Sequence, residues 1–286
     1  AIEEKDINKN PKENKEIILT DGFKLERDKG DTQWYHHDAL SGVDFDIWDP
    51  AKGISEESHI LIKRPIVVDT FCSVIRVLDL DTVFILGGNK EPKLLSPDTQ
   101  NATTFYNVKN QKFTRGEDLK YKRWYGSIVR TADDKFVMVG GADISDTTSE
   151  TPGYKASIIP EIFERNENTN SYSWRELTGA KSKNLFGDTV FNEWSYPKSF
   201  LASDGSIFGI SYNKLWRLNH SGNGKVEQVG EIPLVTGGIK TTIKHSNPNN
   251  NSKSTELKVM TIGAGVGPTA NALMIDKDKI LLIGGK

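Results

Sequence analysis

One pattern occurs four times along the chain, and it restricts the fold more than any other feature. Each unit has an apolar segment, a short polar turn containing aspartate, a second apolar segment and glycine at or near its end. The first unit covers residues 69–88 and ends in Gly87-Gly88, and the second covers residues 122–141 and ends in Gly140-Gly141. This pattern predicts a β-hairpin whose second strand ends at residues free to adopt positive φ.

The spacing of the units predicts how the hairpins are assembled. The glycine ends fall at residues 87, 140, 209 and 284, so successive units are 53, 69 and 75 residues apart. Outer strand pairs are expected at residues 103–113, 161–174 and 214–229. Four strands in about 50 residues is the size of a kelch-like blade, with insertions in the later units. The sequence therefore predicts an all-β, kelch-like β-propeller of four-stranded blades, with about four to five blades in a partial ring.

Three other stretches complete the organisation. Residues 1–16 are rich in Lys, Glu and Asn and predict a polar tail, which leaves residues 17–286 as the propeller portion. Residues 43–48 alternate apolar and polar side chains before a turn at Asp49-Pro50, as in a half-buried strand. Residues 245–254 are rich in Asn, Ser and Lys and predict an exposed loop.

A partial ring has a physical consequence. An arc of blades leaves unpaired blade faces and exposed apolar surface. We therefore expect a second polypeptide, or a missing C-terminal segment, to complete the propeller. The alternative is that the chain closes by itself as a small propeller.

Charge, hydropathy and cysteine content argue against a nucleic-acid partner, a membrane span and an internal disulfide. The 37 basic and 39 acidic residues give a net charge of −2, with no basic stripe, so nucleic acid is not expected as a partner. No apolar run approaches the roughly 20 residues of a membrane span. The single cysteine excludes an internal disulfide.

That cysteine, Cys72, is in phase with a tyrosine. Cys72 and Tyr125 occupy the same place in successive units, 53 residues apart, and Tyr196 takes that place in the third. The plain structural interpretation is that Cys72 is a small buried hydrophobe and Tyr125 fills the core. On the same interpretation Trp124 packs between blades and Arg123 braces strands through hydrogen bonds.

The histidines form no clear metal motif. His36 and His37 are adjacent, and neighbours on a strand point to opposite faces, so sharing one ion is difficult. Tyr35-His36 precedes the first complete unit and is not assigned as a ligand pair. His220 and His245 lie in polar segments and are predicted to be solvated turn residues.

Taken in order, the motifs resemble those of a known family. They are residues 46–50, 69–73, 123–125, Tyr196-Pro197 with residues 204–209, and the closing residues 280–285. Over residues 40–286 the chain resembles the N-terminal propeller portion of the galactose oxidase and glyoxal oxidase family of copper radical oxidases.

The resemblance implies a specific cofactor. The Cys72 sulfur would be bonded to the Tyr125 ring, giving a Tyr-Cys thioether radical cofactor whose tyrosine oxygen binds copper. The sulfur spreads the unpaired electron and eases oxidation of the ring, so copper and the radical together accept two electrons from a primary alcohol or aldehyde. Dioxygen would restore the site and leave as hydrogen peroxide.

Residue roles and location follow from the same resemblance. Cys72 and Tyr125 would be catalytic, and Tyr125 would also bind the metal. Trp124 would shield the radical or line the substrate mouth together with Tyr196. The protein would be secreted, periplasmic or at the cell surface.

The sequence also departs from the family pattern. The second tyrosine with its adjacent histidine, and the histidine from a C-terminal sandwich domain, have no match here. The chain is therefore predicted to be the radical-cofactor half of an oxidase, with the other copper ligands supplied by a partner or a missing segment. The alternative is a non-catalytic kelch-type propeller that acts as a binding or scaffolding module.

Overall fold

A computed structural model describes most of the chain in twelve segments. The chain divides into two compact units, one of residues 1–126, 141–157 and 164–175, the other of residues 127–140, 158–163 and 176–286. The described residues are 15–20, 23–28, 35–36, 45–62, 68–89, 99–144, 154–166, 171–187, 193–232, 243–245, 255–257 and 270–283. The predicted polar tail, residues 1–16, lies outside them except for its last two residues.

The chain begins with two small antiparallel sheets. Strands β1 (Lys15–Thr20), β2 (Phe23–Asp28) and β3 (Tyr35–His36) form the first, and β4 (Phe45–Trp48) pairs with β5 (His59–Ile62) in the second. Burial in β4 alternates between half-buried and exposed, which confirms the half-buried strand. Two 3-10 turns, Pro50–Lys52 and Glu56–Ser58, lie between β4 and β5.

The first repeat unit forms a four-stranded antiparallel sheet. Its strands follow chain order: β6 (Val74–Val77), β7 (Thr82–Leu86), β8 (Thr103–Asn107) and β9 (Lys112–Arg115). Strand β7 supplies the fully buried Phe84, whose ring stacks on Phe105 at 5.4 Å and on Trp174 at 6.0 Å. The Trp174 indole N–H donates to the Thr103 hydroxyl at 2.9 Å, so this buried polar group is satisfied.

The second repeat unit forms a sheet with the same strand order. It contains β10 (Trp124–Arg130), β11 (Phe136–Asp143), β13 (Glu161–Asn166) and β14 (Ser171–Glu176), and the short β12 (Lys155–Ala156) pairs with the end of β11. All but the last residue of β11 are buried. A strand covered on both faces takes apolar residues in sequence rather than in alternation, as in residues 136–139.

The third repeat unit is also four-stranded and lies in the second compact unit. Its strands are β15 (Lys198–Leu201), β16 (Ile207–Ser211), β17 (Lys214–Asn219) and β18 (Lys225–Glu231). Trp216 is fully buried, and the Phe186 ring meets it edge-on at 5.3 Å and 82°. Phe186 ends the one-turn helix α1 (Lys183–Phe186), which follows a 3-10 turn at Thr178–Ala180.

Two hairpins complete the described elements. Strands β19 (Ile243–His245) and β20 (Thr255–Leu257) pair, as do β21 (Asn271–Asp276) and β22 (Lys279–Ile283). The second is the predicted inner hairpin of the fourth unit, and its Gly284-Gly285 end lies outside the described residues. The prediction of an all-β chain built from four-stranded, propeller-like antiparallel sheets is confirmed. None of the helices found in the described ranges could cross a membrane.

The phase predicted for the third repeat is wrong. Gly209 was expected at a strand end, but it lies inside β16 without positive φ, and a Cβ there would overlap the Trp216 ring. The pairs Val74–Leu86 and Lys198–Ile210 are equivalent, so Ser211-Tyr212 takes the place of Gly87-Gly88. Gly209 is therefore required by the packing of a tryptophan.

The prediction that His220 and His245 are solvated turn residues fails in two ways. His245 is the last residue of β19. The His220 side chain is only 13% exposed, and its Nε2 lies 3.0 Å from a carboxylate oxygen of Asp133. Burial acts to raise the pKa of Asp133, but hydrogen bonds from Thr131 and Lys135 and the pairing with His220 hold that pKa well below its ordinary value.

Replacing Gly209 with alanine tests the packing against Trp216. We expect Gly209→Ala to lower the free energy of unfolding by about 1–3 kcal/mol, because the methyl group forces the buried ring out of place. Gly230→Ala in β18 is the matched control, since its Cβ would meet Leu215 at an ordinary 3.5 Å. Urea unfolding of both variants measures the difference, and equal stabilities would refute this role.

The Asp133 pairing predicts how stability depends on acid. The folded-state pKa of Asp133 lies below its unfolded value of 3.8, so its contribution is present above that value and is lost as the pH falls through the folded-state pKa. Asp133→Asn should therefore be less stable than wild type at neutral pH, and the difference should shrink in acid. Thermal unfolding across this range, with Asp134→Asn as the exposed control, checks the trend.

Candidate functional site

The structure brings Cys72 and Tyr125 together. The Tyr125 main-chain N–H donates to the Cys72 carbonyl oxygen at 3.2 Å. Their side chains also form a hydrogen bond, with the thiol beside the phenol. Cys72 is partly buried and is not in a disulfide. The two residues that the repeat places in phase are therefore in direct contact through both main chain and side chains.

The surroundings of Tyr125 favour the neutral phenol. Burial, the hydrogen bond with Cys72 and the nearby Cys72 and Tyr154 groups raise the pKa of Tyr125 to about 12. Each of these influences disfavours a phenolate that has no cation beside it. At neutral pH the phenol keeps its proton, and a metal ion bound at this oxygen would have to displace that proton.

Three residues at matched repeat positions share an unusual backbone conformation. Cys72, Tyr125 and Tyr196 have φ values of 61°, 60° and 45°. Few residues other than glycine adopt positive φ, and each such residue costs about 1–3 kcal/mol that the surrounding structure must offset. Cys72 and Tyr196 each lie two residues before the first paired residue of an inner strand, Val74 and Lys198. The conformation therefore recurs with the repeat.

The conformation of Tyr125 allows an aromatic stack. Neighbouring side chains on a regular strand point to opposite faces, but the Trp124 and Tyr125 rings stack at 3.7 Å and 20°. Trp124 also stacks on Tyr154 at 5.6 Å and 19°. Sequence reasoning missed Tyr154, because it stands outside the repeat and no motif marks it.

Tyr196 belongs to the other compact unit. Its ring lies 6.0 Å from the Lys198 ammonium group, and burial lowers the pKa of Lys198. A partly buried cation over an aromatic face is a favourable arrangement. The assignment of Tyr196 to a substrate mouth stays a prediction.

Two glycines allow the main chain at Arg123 to pack closely beside the Cys72–Tyr125 pair. Arg123 is fully buried, and its N–H donates to the Gln100 carbonyl oxygen at 2.9 Å. A Cβ on Gly87 would overlap the Arg123 carbonyl oxygen, and one on Gly141 would stand 2.9 Å from the Arg123 Cα. Arg123 therefore lies between two glycines, and this contact fixes the start of the strand that carries Trp124 and Tyr125.

Asp69 braces the turn that carries Cys72. It is fully buried, and its side chain accepts hydrogen bonds from the Phe71 N–H at 2.9 Å and the Asn89 amide at 3.2 Å. Its carbonyl oxygen accepts the Asn89 N–H at 3.1 Å, while the Ser73 N–H donates to Thr70 at 3.0 Å and closes the turn. A buried carboxylate that accepts several hydrogen bonds rigidifies its surroundings. This turn holds Cys72 in its left-handed conformation.

The described residues include no cluster of three or more His, Cys, Asp and Glu side chains that could hold a metal. His59 and His220 are each paired with a carboxylate, at 2.7 Å to Asp46 and 3.0 Å to Asp133. Tyr35-His36 forms β3. The site therefore offers a thiol and a phenol that fit thioether formation, with the Tyr125 oxygen as one candidate ligand.

Comparisons with known proteins find a likeness to solved structures and none to sequence families. No protein-family model and no curated protein matches the sequence. A solved structure described as a novel fungal alcohol oxidase with catalytic diversity among the AA5 family, in complex with copper, matches with a TM-score of 0.49 and 16% identity. The match covers 93% of this chain and 53% of that one, so the chain spans about half its length.

The close approach at Gly87 can be separated from backbone strain by a matched pair of variants. Gly87→Ala and Gly53→Ala both place alanine at positive φ, which costs about 1–2 kcal/mol in each case. Nothing lies within 4 Å of a Cβ on Gly53, whereas Gly87 faces Arg123. We expect Gly87→Ala to lose about 1–3 kcal/mol more on chemical unfolding. Equal losses would show that Arg123 does not need this glycine.

Proposed function

We propose that this chain carries a Cys72–Tyr125 thioether and is the radical-cofactor half of a copper radical oxidase that acts on a primary alcohol or aldehyde. The observation that carries the proposal is the contact of the thiol with the phenol, together with the 3.2 Å main-chain hydrogen bond between the two residues. The motifs at residues 69–73 and 123–125 support it through their resemblance to the galactose oxidase and glyoxal oxidase family.

The bond-forming step needs only these two side chains and an oxidant. The S–H bond of Cys72 and one ring C–H bond of Tyr125 are broken, and an S–C bond forms at the carbon beside the phenol oxygen. Two electrons and two protons pass to dioxygen, which becomes hydrogen peroxide. Because the thiol is hydrogen-bonded with the phenol, the sulfur already lies on the oxygen side of the ring.

The surrounding residues prepare the ring for one-electron chemistry. The Cys72 sulfur, once bonded, donates electron density into the Tyr125 ring. Trp124 covers one face of that ring at 3.7 Å and limits access of water and reductants. The hydrogen bonds of Asp69 keep the cysteine turn in place. Pre-positioned groups of this kind lower the cost of reorganisation during oxidation.

Copper, when bound at the Tyr125 oxygen, would supply the second one-electron acceptor needed to oxidise an alcohol by two electrons. Tyr125 alone does not make a tight copper site, since such sites use several N, O or S ligands. We propose that the remaining ligands come from polypeptide outside the described residues, in a partner or in a further segment. An oxidising location outside the cytoplasm, as the resemblance implies, suits this chemistry.

Intact mass tests the proposal directly. After aerobic incubation of the complete protein with copper, including the polypeptide that supplies the other ligands, we expect a mass of this chain lower by two hydrogen atoms and a peptide map that joins Cys72 to Tyr125. Cys72→Ser and Tyr125→Phe should remain unmodified, because the first lacks the sulfur and the second lacks the phenol oxygen that makes the ring oxidisable. Tyr172→Phe, in the same compact unit, should be modified as efficiently as wild type.

An unmodified wild-type mass after this treatment would overturn the oxidase proposal. The non-catalytic kelch-type binding module would then be the better account of the fold. A mass change without a link between the Cys72 and Tyr125 peptides would have the same meaning, since direct oxidation of the thiol adds oxygen rather than removing hydrogen.

A further inference from the structure

Three aromatic rings form a continuous stack from the Cys72–Tyr125 pair outward. The ring centroids are 3.7 Å apart between Tyr125 and Trp124 and 5.6 Å apart between Trp124 and Tyr154. The interplanar angles are 20° and 19°, so the three rings are nearly parallel. Nearly parallel rings in contact overlap in their π systems and can exchange an electron readily.

Exposure differs between the two ends of the stack. Tyr125 and Trp124 are partly buried, whereas Tyr154 is 40% exposed. A bulky oxidant in solution can therefore reach the Tyr154 ring more easily than the inner two. Tyr154 stands at the surface end of the stack.

The local charge also favours one type of oxidant. Lys155 follows Tyr154 and pairs across the strands with Asp143, whose carboxylate lies 3.4 Å from the Lys122 ammonium group. Within this described group two cations and one carboxylate leave one excess positive charge, with Lys155 directly next to Tyr154 in the chain. Screened attraction to an anionic oxidant follows from this charge.

We infer that Tyr154 is a surface redox relay, through which an external one-electron oxidant withdraws electrons from Tyr125 by way of Trp124. The inference rests on the proposed function, in which Tyr125 is the redox-active ring. Among aromatic side chains, tyrosine and tryptophan lose one electron far more easily than phenylalanine does. Dioxygen takes two electrons when it is reduced to peroxide. Oxidation of the Tyr125 ring by one electron therefore needs an oxidant that accepts electrons one at a time.

The relay can be tested in the absence of copper, with hexachloroiridate(IV) as the anionic one-electron oxidant. Two equivalents remove two electrons, the Cys72 thiol and the Tyr125 ring each lose one proton, and the thioether forms while two Ir(IV) become Ir(III). Intact mass and peptide mapping of the full chain follow the rate of linkage.

Five chains make the experiment specific: wild type and four single variants. We expect wild type to crosslink, and Tyr154→Phe to fall to the background of Tyr125→Phe, because phenylalanine keeps the stack but resists oxidation. Tyr154→Trp should restore the rate. Tyr172→Phe removes a tyrosine that is 42% exposed outside this stack and should leave the rate unchanged.

The outcomes separate the relay from the proposed function. With copper and dioxygen, Tyr154→Phe should crosslink as wild type does, because that route does not pass through Tyr154. If wild type fails with copper but crosslinks with hexachloroiridate(IV) in a Tyr154-dependent way, the relay holds and the oxidase proposal falls. Crosslinking of Tyr154→Phe at the wild-type rate with hexachloroiridate(IV), or no crosslinking of wild type with it, would overturn the relay.

Discussion

The close approach of main chain at Arg123 is the constraint on which the site depends. Glycine at positions 87 and 141 allows Arg123 to lie where any larger residue would collide with it. The strand that starts there carries Trp124 and Tyr125, and its first amide groups bond to Gln100 and Cys72. A buried backbone packed this tightly leaves few alternative positions, so the phenol and the thiol are held in contact by the surrounding main chain.

The same arrangement offsets conformational strain at Cys72 and Tyr125. Cys72 and Tyr125 both have left-handed backbones, a conformation that costs free energy and persists only where neighbouring contacts enforce it. Hydrogen bonds to the buried Asp69 stabilise the cysteine turn, and the glycine contacts at Arg123 stabilise the tyrosine. Residues with strained backbone often cluster at functional sites.

Electronic properties of the pair follow from its packing. Partial burial and the neighbouring thiol keep the Tyr125 phenol neutral, and the stacked Trp124 ring covers one of its faces. A ring in this environment loses a proton reluctantly, while the adjacent sulfur and stacked rings offer ways to spread or pass on an unpaired electron. The proposed oxidase chemistry and the inferred electron relay would therefore draw on the same contacts, although they need different oxidants.

The sequence by itself determined the repeat, the inner hairpins and the phase of Cys72 with Tyr125, since turn residues and apolar alternation act over short range. Tertiary structure decided what local pattern cannot encode. Gly209 is required by the packing of the Trp216 ring rather than by a strand end. The His220 side chain is only 13% exposed where it pairs with Asp133, 87 residues away. Tyr154 joins the site only because the chain folds back onto Trp124, and contacts between distant segments leave no local signal.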